Sequence, residues 1–228
     1  MIQFAVLGYG TVGSGVVEVF FRNRESLEKK AGVPLGLKYI LDVREFPDSP
    51  YKDLFVKDFD TILNDASVGV VAEVIGGVEP ALTFTKACLE RGKSVVTSNK
   101  ELVAQHGAEL LAIARANNVN YLFEASVGGG IPIIRPLHSC LAANRIEEVI
   151  GILNGTTNFI LTKMFREGMS FESALALAQR LGYAERDPAA DVEGHDACRK
   201  ICILASLAFG EHVYPHDVSA EGITKITS

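Results

Sequence analysis

The stretch IQFAVLGYGTVGSGVVEVF, residues 2–20, decides the fold of the first half of this chain. A short apolar run ends in GYGTVG, whose glycines are Gly8, Gly10 and Gly13, and an apolar helical pattern follows. Strand, glycine turn and helix is the context that the G-x-G-x-x-G pattern requires, because the glycines permit a tight turn and a close approach to a pyrophosphate. The helix that follows adds N–H donors and the positive end of its dipole. The stretch therefore predicts a dinucleotide site.

Strands and helices continue to alternate from this motif to about residue 130. The strand pattern at 68–76 is continuous and rich in β-branched residues, as expected for a buried parallel strand. The alternation predicts an α/β fold with a Rossmann-type, doubly wound parallel sheet over residues 1–130. Further strands are predicted over 35–41, 93–98 and 119–125, and helices over 80–92 and 99–118.

The composition excludes several classes of protein. The chain has 228 residues, 48% of them hydrophobic, and a net charge of -6. A negative charge argues against a nucleic-acid binder, which needs Lys and Arg to neutralise phosphates. No apolar run is long enough to cross a bilayer, and the N-terminus lacks the features of a signal peptide, so we expect a cytoplasmic protein without membrane contact.

In that reducing compartment we expect the four cysteines to be free, small and buried: Cys88, Cys140, Cys198 and Cys202.

The end of the second predicted strand, ILDVRE, bears on the choice of cofactor. An acidic residue there binds the ribose 2′-hydroxyl of NAD, whereas a basic residue nearby accepts the 2′-phosphate of NADP. Asp42 is the candidate ribose ligand, and Arg44 could bind a phosphate. NAD is therefore favoured over NADP, although both side chains could instead be solvated loop charges.

Glycine-rich and polar segments follow the next three predicted strands. They are Gly76–Gly77, the segment TSNK at Thr97–Lys100, and EASVGGG at Glu124–Gly130. In an open α/β sheet the ligand crevice lies outside the carboxyl ends of the strands. Lys100 falls in the first turn of a helix, where a cation opposes the helix dipole. This unfavourable place suggests a functional lysine, and the alternative is an ordinary surface lysine.

The pattern changes near Gly128–Gly130, which we take as the boundary of a second domain over residues 131–228. Its helices and one strand indicate an α+β domain that carries the substrate chemistry. The predicted elements are a helix over 131–145 entered through Pro132, a strand over 146–154, a helix capped by Thr156 or Thr157, and a helix with Ser170 as its N-cap.

The most concentrated chemistry lies in DVEGHDACRK, residues 191–200, before the apolar run ICILASLAFG. A metal site built from His195 and Cys198 is disfavoured, because no second Cys/His pair lies at zinc spacing. A solvated helix end stays an alternative, since exposed i,i+4 pairs are common and weak. An acid–base centre is favoured, because Asp196 and Lys200 share one helix face and partial burial would help the lysine exchange a proton. Such a group takes the hydroxyl proton when an alcohol passes a hydride to nicotinamide.

Seven segments, in order along the chain, resemble the homoserine dehydrogenase family. They are GYGTVG, EVIGG with EPA after it, VVTSNKELVA, EASVGGGIPII, GILNGTTNFIL, GYAERDPAADVEGHDACRK and the helix that follows. The two long segments of the second half are the most specific. The resemblance implies oxidation of L-homoserine to L-aspartate 4-semialdehyde with NAD or NADP, or the reverse reaction, in the synthesis of threonine, methionine and isoleucine.

Carried over motif by motif, the resemblance also implies roles for single residues. Lys200 would exchange the proton of the substrate oxygen, and Lys100 would reach the reacting centre and the cofactor. Asp196 would orient the lysine and bind substrate, and Glu185 would receive the homoserine ammonium. The other substrate-binding residues would be Thr156, Tyr183 and Asp191, and the other cofactor-binding residues Gly8, Gly10, Thr11, Val12, Gly13, Asp42, Thr97 and Gly182.

The segment EASVGGGI resembles the family's monovalent-cation loop, in which main-chain carbonyls bind sodium. The carbonyls would be those of Glu124, Val127, Gly129 and Ile131. Many members that use NADP have an arginine near the end of the second strand, where this chain has Asp42, and that departure agrees with NAD. Family members also extend well beyond residue 228. We therefore expect a truncated chain, in which the interface of a full-length homodimer is missing or incomplete.

Two other functions stay open. Another Rossmann oxidoreductase, such as an aspartate-semialdehyde dehydrogenase, would need an activated cysteine, yet Cys140 and Cys198 lie in helical patterns without an evident base. A nicotinamide-binding sensor without turnover would have no use for Lys200 or Glu185.

Overall fold

The computed structural model describes residues 1–227. The chain forms two compact units, Met1–Ile131 and Pro132–Ser228, and each has its own hydrophobic cluster. Over the described range, no helix combines the length and the apolar character needed to cross a membrane.

The first unit is built on six strands that all run parallel. The strands are β1 (Ile2–Leu7), β2 (Leu35–Leu41), β3 (Phe55–Val56), β4 (Val68–Glu73), β5 (Ser94–Thr97) and β6 (Tyr121–Leu122). Their order in the sheet is β3-β2-β1-β4-β5-β6, so the chain crosses from one side of β1 to the other between β3 and β4. This order confirms the doubly wound parallel sheet and places its switch point between β1 and β4.

The sheet differs from the sequence prediction at its margins. The short strand β3 was not predicted. The strand predicted over 68–76 ends at Glu73, and the loop beyond it contains Gly76 and Gly77 with φ of +86° and +70°. The strand predicted over 119–125 is only two residues long, because a 3₁₀ turn follows it.

Four helices connect the strands of the first unit. Two of them, predicted over 80–92 and 99–118, are present within two residues of the predicted ends. The side chain of Asn99 caps α4 by accepting a hydrogen bond from the N–H of Leu102. The helices are α1 (Thr11–Ala31), α2 (Phe59–Leu63), α3 (Ala81–Glu90) and α4 (Lys100–Ala116).

Helix α1 packs on β1 and β2 through a single apolar cluster. Val17 and Phe20 of the helix meet Val6 and Ile40 of the strands, and all four side chains are buried. Burying a side chain of this size contributes roughly 1.5–3 kcal/mol. The cluster therefore holds the start of α1 close against the end of β1, which is where the glycine turn lies.

The second unit consists of helices and irregular segments over the residues that the structure describes. The helices are α5 (Gly155–Glu167), α6 (Phe171–Arg180), α7 (Ala189–Val192) and α8 (His195–Phe209). Ile160 and Met164 of α5 pack against Ala174 and Ala178 of α6. The prediction that Ser170 caps α6 is confirmed, since its hydroxyl accepts from the N–H of Ser173 at 3.2 Å.

One element predicted for the second unit is much shorter than expected, and another is wrong. The segment 131–145 is helical only over 134–140, with a π-helical turn at Pro136–Cys140, and a second proline inside the pattern disrupts an α-helix because it lacks an N–H. The segment 146–154 is not a strand. Its Ile150 and Ile152 are 84% and 77% exposed, and a strand needs a paired neighbour that an apolar pattern alone cannot supply.

The N-cap of α5 also differs from the prediction. Asn154 caps the helix, and its Oδ1 accepts from the N–H of Thr157 at 2.8 Å. Thr156 and Thr157, the predicted caps, lie inside the first turn. Asparagine and threonine both occur at helix N-caps, and asparagine is the more strongly preferred of the two.

All four cysteines are free. Cys88, Cys198 and Cys202 are buried, as expected of small packing residues. Cys140 is exposed at the end of the π-helical turn, so the prediction that it is buried is wrong.

Candidate active site

The glycine turn between β1 and α1 has no space for a side chain at Gly8 or Gly13, whereas Gly10 faces open space. A Cβ at Gly13 would lie 1.9 Å from the carbonyl oxygen of Gly8, which has φ of +96°. Gly10 precedes α1 in an extended conformation and, having no side chain, caps no N–H of the helix. Thr11 and Val12 are exposed at the start of the helix. These groups match the requirements of a phosphate cradle, namely close backbone approach and outward N–H donors.

Asp42, just after β2, is tied to this turn. Its Oδ2 accepts from the N–H of Tyr9 at 2.8 Å and from the Arg44 guanidinium at 2.8 Å. Its Oδ1 accepts from the N–H of Arg44 at 2.9 Å and from Arg44 Nε at 3.0 Å. The Arg44 guanidinium holds the pKa of this carboxyl well below its usual range. Asp42 is 8% exposed, so it is not the solvated loop charge that the sequence left open.

Basic and aromatic side chains surround the exposed face of Arg44. The Lys57 ammonium donates to the carbonyls of Val43, at 3.1 Å, and Arg44. The Arg44 guanidinium lies 5.2 Å from the centre of the Phe46 ring. A pocket here is lined by Arg44, Glu45, Phe46, Pro47, Lys52, Phe55 and Lys57. Its excess of cations suits an anion near the end of β2.

Glu73, at the end of β4, is a buried carboxylate that the sequence prediction missed. Its Oε1 accepts from the N–H of Ile75 at 2.8 Å, and its Oε2 accepts from the hydroxyl of Thr97 at 2.7 Å. Burial raises the pKa of the Glu73 carboxyl, and these hydrogen bonds oppose the rise. The only sequence signal was an acidic residue that ends an apolar strand.

The network around Glu73 continues into the segment that carries Lys100. Thr97 accepts from the N–H of Asn99 at 2.9 Å, and Asn99 Nδ2 donates to the carbonyl of Gly77 at 2.6 Å. The loop after β4 and the loop after β5 are thereby tied together. Lys100 is the first residue of α4, directly after Asn99, and is half-buried. This hydrogen-bond network therefore fixes the position of Lys100 at the edge of the sheet.

The predicted cation loop forms a tight turn at the end of the first unit. The N–H of Ile131 donates to the carbonyl of Gly128 at 2.9 Å, and Gly129 has φ of +58°. Glu124 begins a 3₁₀ turn, and Val127 follows that turn. The chain therefore folds back on itself between Glu124 and Ile131, as a ring of main-chain ligands requires. The four carbonyls stay predicted ligands.

The second unit contains a buried ion pair on α8. The side chains of Lys200 and Asp196, one helical turn apart, meet with Nζ and Oδ2 at 2.7 Å. Lys200 Nζ also donates to the carbonyl of Leu153 at 2.9 Å. The two side chains are 16% and 5% exposed, so the alternative of a solvated helix end is wrong for this pair. A lysine held at a fixed point in a sheltered site can exchange a proton with a bound hydroxyl.

Asn154 joins this pair to a second carboxylate. Its Nδ2 donates to Asp196 Oδ2 at 2.9 Å and to Asp191 Oδ1 at 2.6 Å. The sequence prediction contained Asp191 and Asp196 but not the asparagine between them. The segment GILNGTT offered three candidate polar residues without showing which one turns inward.

Of the remaining predicted substrate residues, Tyr183 and Glu185 lie in the loop after α6, and Thr156 lies in the first turn of α5. The Thr156 hydroxyl donates to the carbonyl of Tyr183 at 2.7 Å, and Tyr183 stacks on Phe159 with ring centres 4.8 Å apart. Gly182 turns the chain with φ of +80°. The Glu185 side chain is exposed, while its backbone carbonyl accepts from Gln179. Thr156 thus positions the loop that carries Tyr183 and Glu185.

The disfavoured metal site is not formed. His195 is exposed and contacts Glu193 with Nε2 and Oε2 at 3.1 Å, whereas Cys198 Sγ points to the carbonyl of Pro215 at 3.7 Å. Across residues 1–227, no three side chains of His, Cys, Asp or Glu converge to hold a metal ion.

Comparisons with known proteins find relatives of both units. Residues 8–124 match a family model described as the NAD binding domain of homoserine dehydrogenase, and residues 132–228 match one described as homoserine dehydrogenase. A homoserine dehydrogenase of Bacillus subtilis (strain 168) is 46% identical over 230 residues, which cover 99% of this chain and 53% of that protein. The chain spans about half the length of the curated relatives it matches.

Solved structures show the same likeness. The crystal structure of a homoserine dehydrogenase from Thiobacillus denitrificans superposes with a TM-score of 0.91 at 41% identity, covering 99% of this chain and 53% of that one. A hyperthermophilic archaeal homoserine dehydrogenase mutant in complex with NADPH superposes with a TM-score of 0.86 at 28% identity, covering 99% and 74% of the two chains.

Proposed function

We propose a function that proceeds from one premise: this chain belongs to the homoserine dehydrogenase family. Its first unit would bind a nicotinamide dinucleotide, and its second unit would bind L-homoserine or L-aspartate 4-semialdehyde. The reaction would interconvert the primary alcohol and the aldehyde, as a step in the synthesis of threonine, methionine and isoleucine. The observation that carries the proposal is the buried Asp196–Lys200 pair.

Lys200 would move the proton of the substrate oxygen. When bound, the nicotinamide would accept a hydride from the alcohol carbon, and the hydroxyl proton must leave at the same time. Neutral Lys200 would take that proton as its ammonium form, and in the reverse direction the ammonium would return it to the carbonyl oxygen. Asp196 and the Leu153 carbonyl hold Nζ in place for this exchange.

The residues around the pair would bind the rest of the substrate. The exposed carboxylate of Glu185 would receive the homoserine ammonium, next to Tyr183 and Asp191. Thr156 supports this role indirectly, because its hydrogen bond to the Tyr183 carbonyl positions the loop. Gly182, in the same loop, would approach the cofactor closely, since a glycine presents no side chain to it.

The glycine turn would hold the pyrophosphate of the cofactor. The ends of β4 and β5 would hold its nicotinamide half. Gly8, Gly10 and Gly13 leave the backbone accessible at the turn, and the first N–H groups of α1 would donate to the phosphates. Lys100 would lie near the reacting centre, held by the Asn99 and Thr97 network.

The end of β2 would select NAD over NADP. Asp42 is charged and fixed by the N–H of Tyr9, so it can accept from a ribose 2′-hydroxyl but would repel a 2′-phosphate. Arg44 is more than half exposed and could turn from Asp42 to a phosphate, with Lys57 beside it. If the protein also uses NADP, Arg44 would bind its 2′-phosphate.

Three further properties stay predictions. The main-chain carbonyls of Glu124, Val127, Gly129 and Ile131 would bind a monovalent cation, sodium being the expected one. The full-length protein would be a homodimer. It would act in the cytoplasm.

The test is homoserine-dependent reduction of NAD and NADP, measured in parallel by absorbance. Lys200→Met should lower kcat by about 10²–10⁴-fold, the usual contribution of a general acid–base group, while NADH binding stays close to normal. Lys163→Met is the matched control, because Lys163 pairs with Glu167 on the surface of α5. Turnover by Lys200→Met equal to that of the control would remove the central assignment.

A further inference from the structure

Asn154 joins the two carboxylates of the candidate acid–base centre. One nitrogen, Nδ2, donates to Asp191 at 2.6 Å and to Asp196 at 2.9 Å. Asn154 is 8% exposed, and hydrogen bonds shielded from water are electrostatically stronger than those at a surface. A neutral amide thus holds together two carboxylates that would otherwise repel each other.

The two ends of the Asn154 side chain do different things. Oδ1 accepts from the N–H of Thr157 and caps α5, whereas Nδ2 binds the carboxylates. Aspartate and serine cap helices about as well as asparagine does. Aspartate has no N–H to donate, and the serine hydroxyl is shorter and has a single hydrogen. Substitution can therefore remove the carboxylate bridge while keeping the cap.

Asn154 and Lys200 bind the same oxygen of Asp196. Lys200 Nζ lies 2.7 Å from Asp196 Oδ2, the atom that also accepts from Asn154. The amide stabilises part of the negative charge on that oxygen, so the oxygen attracts the ammonium proton less strongly. Leu153, whose carbonyl accepts from Lys200, is the residue before Asn154. One short backbone segment therefore positions both the lysine and the carboxylate.

We propose that Asn154 is a positioning residue for the Asp196–Lys200 pair. It holds Asp191 and Asp196 in fixed places, the second of them against the Lys200 ammonium. The importance of this role for turnover rests on the function proposed above. The arrangement itself exists without substrate and can be tested without it.

The first readout is the rate at which acetic anhydride acetylates Lys200 at about pH 8, followed by mass spectrometry on the 228-residue chain. Only the uncharged amine reacts, so the rate reports how readily Lys200 gives up its proton. Asn154→Asp should slow it about tenfold, because a third carboxylate stabilises the ammonium. Asn154→Ser should slow it about threefold, because Asp196 loses the amide donor. Asn158→Asp is the control, since Asn158 is exposed on α5 and adds the same charge where water screens it.

The second readout is turnover with homoserine across pH. Both Asn154 variants should lower kcat about tenfold and leave the KM for the cofactor nearly unchanged, because most of the predicted cofactor-binding residues lie in the first unit. The pH profile of Asn154→Asp should move to higher pH, and that of Asn158→Asp should stay in place. A residue that only stabilises the fold would change the melting temperature without moving this profile.

The outcomes separate the two proposals. If Lys200 is acetylated at the wild-type rate in both Asn154 variants, Asn154 is a helix cap and the positioning role is wrong. If Asn154→Asp does not fold, Asn154→Ser decides by the same measurement, because it adds no charge. Absence of homoserine-dependent turnover in the wild-type chain would count against the proposed function, and the acetylation rates would still decide the role of Asn154.

Discussion

Asp42 follows β2 and Glu73 ends β4, the strands on either side of β1, yet the two carboxylates are held in opposite ways. Each accepts an N–H from the residue two positions later, Arg44 at 2.9 Å and Ile75 at 2.8 Å. Asp42 also has a guanidinium beside it, which lowers its pKa. Glu73 has the hydroxyl of Thr97 instead, and burial raises its pKa.

The difference shows that a strand-end position does not determine the role of an acid. The nearest cation does, because it decides whether the carboxylate keeps its charge once water is excluded. Asp42 stays charged and is suited to a ribose hydroxyl. Glu73 has a reduced preference for the charged form and is suited to joining the loops after β4 and β5. The first acid is a charged acceptor at the end of β2, and the second connects the loops after β4 and β5.

The largest effect expected from this comparison is loss of stability when Glu73 is shortened. Glu73→Ala would leave a cavity and deprive the N–H of Ile75 and the hydroxyl of Thr97 of their acceptor. We expect the free energy of unfolding to fall by about 2–4 kcal/mol. Denaturation with urea, followed by circular dichroism, measures it.

Glu79→Ala is the matched control for that experiment. Glu79 is exposed and accepts from the Thr83 hydroxyl on the surface of α3, so its loss should cost about 0.5 kcal/mol or less. If the two variants lose equal stability, the hydrogen bonds of Glu73 do not hold the loops after β4 and β5 together.

A smaller effect is expected on cofactor choice when Asp42 is shortened. Asp42→Ala should weaken NADH binding about tenfold, since a charged acceptor for the ribose is lost, and should weaken NADPH binding less. Fluorescence of the bound nicotinamide gives both dissociation constants. Asp48→Ala, at an exposed position of the same loop, is the control. An equal loss of affinity for both cofactors would mean that Asp42 does not bind the ribose 2′-hydroxyl.

The sequence predicted the sheet well because its strands are locally distinctive. The strand from Val68 is an unbroken apolar run, and the glycine turn after Leu7 needs no distant partner to be recognised. The segment 146–154 has a similar apolar pattern and is not a strand. A strand is completed by its neighbour, and the pattern of one segment contains no information about whether that neighbour is present.

The candidate site was predictable where residues interact along one element. Asp196 and Lys200 meet because they are four residues apart on a helix. Glu73 and Asn154 were missed because their partners, Thr97, Asp191 and Asp196, are more than twenty positions away. Such contacts follow from the packing of helices and strands, which no local spacing reveals.

The smallest expected effects are on the pH dependence of stability, and they have opposite signs. The folded pKa of Asp42 lies below its usual 3.8, so Asp42 stabilises the fold above that pH and loses this contribution as the pH falls towards the folded value. The folded pKa of Glu73 lies above its usual 4.5, so the folded state binds the extra proton and loses stability as the pH rises from 4.5. A plot of the free energy of unfolding against pH should therefore become flatter below pH 3.8 in Asp42→Asn. The same plot should become flatter above pH 4.5 in Glu73→Gln. Urea midpoints measured across pH for both variants test this. If both substitutions flatten the same side, the guanidinium beside Asp42 is not what separates the two carboxylates.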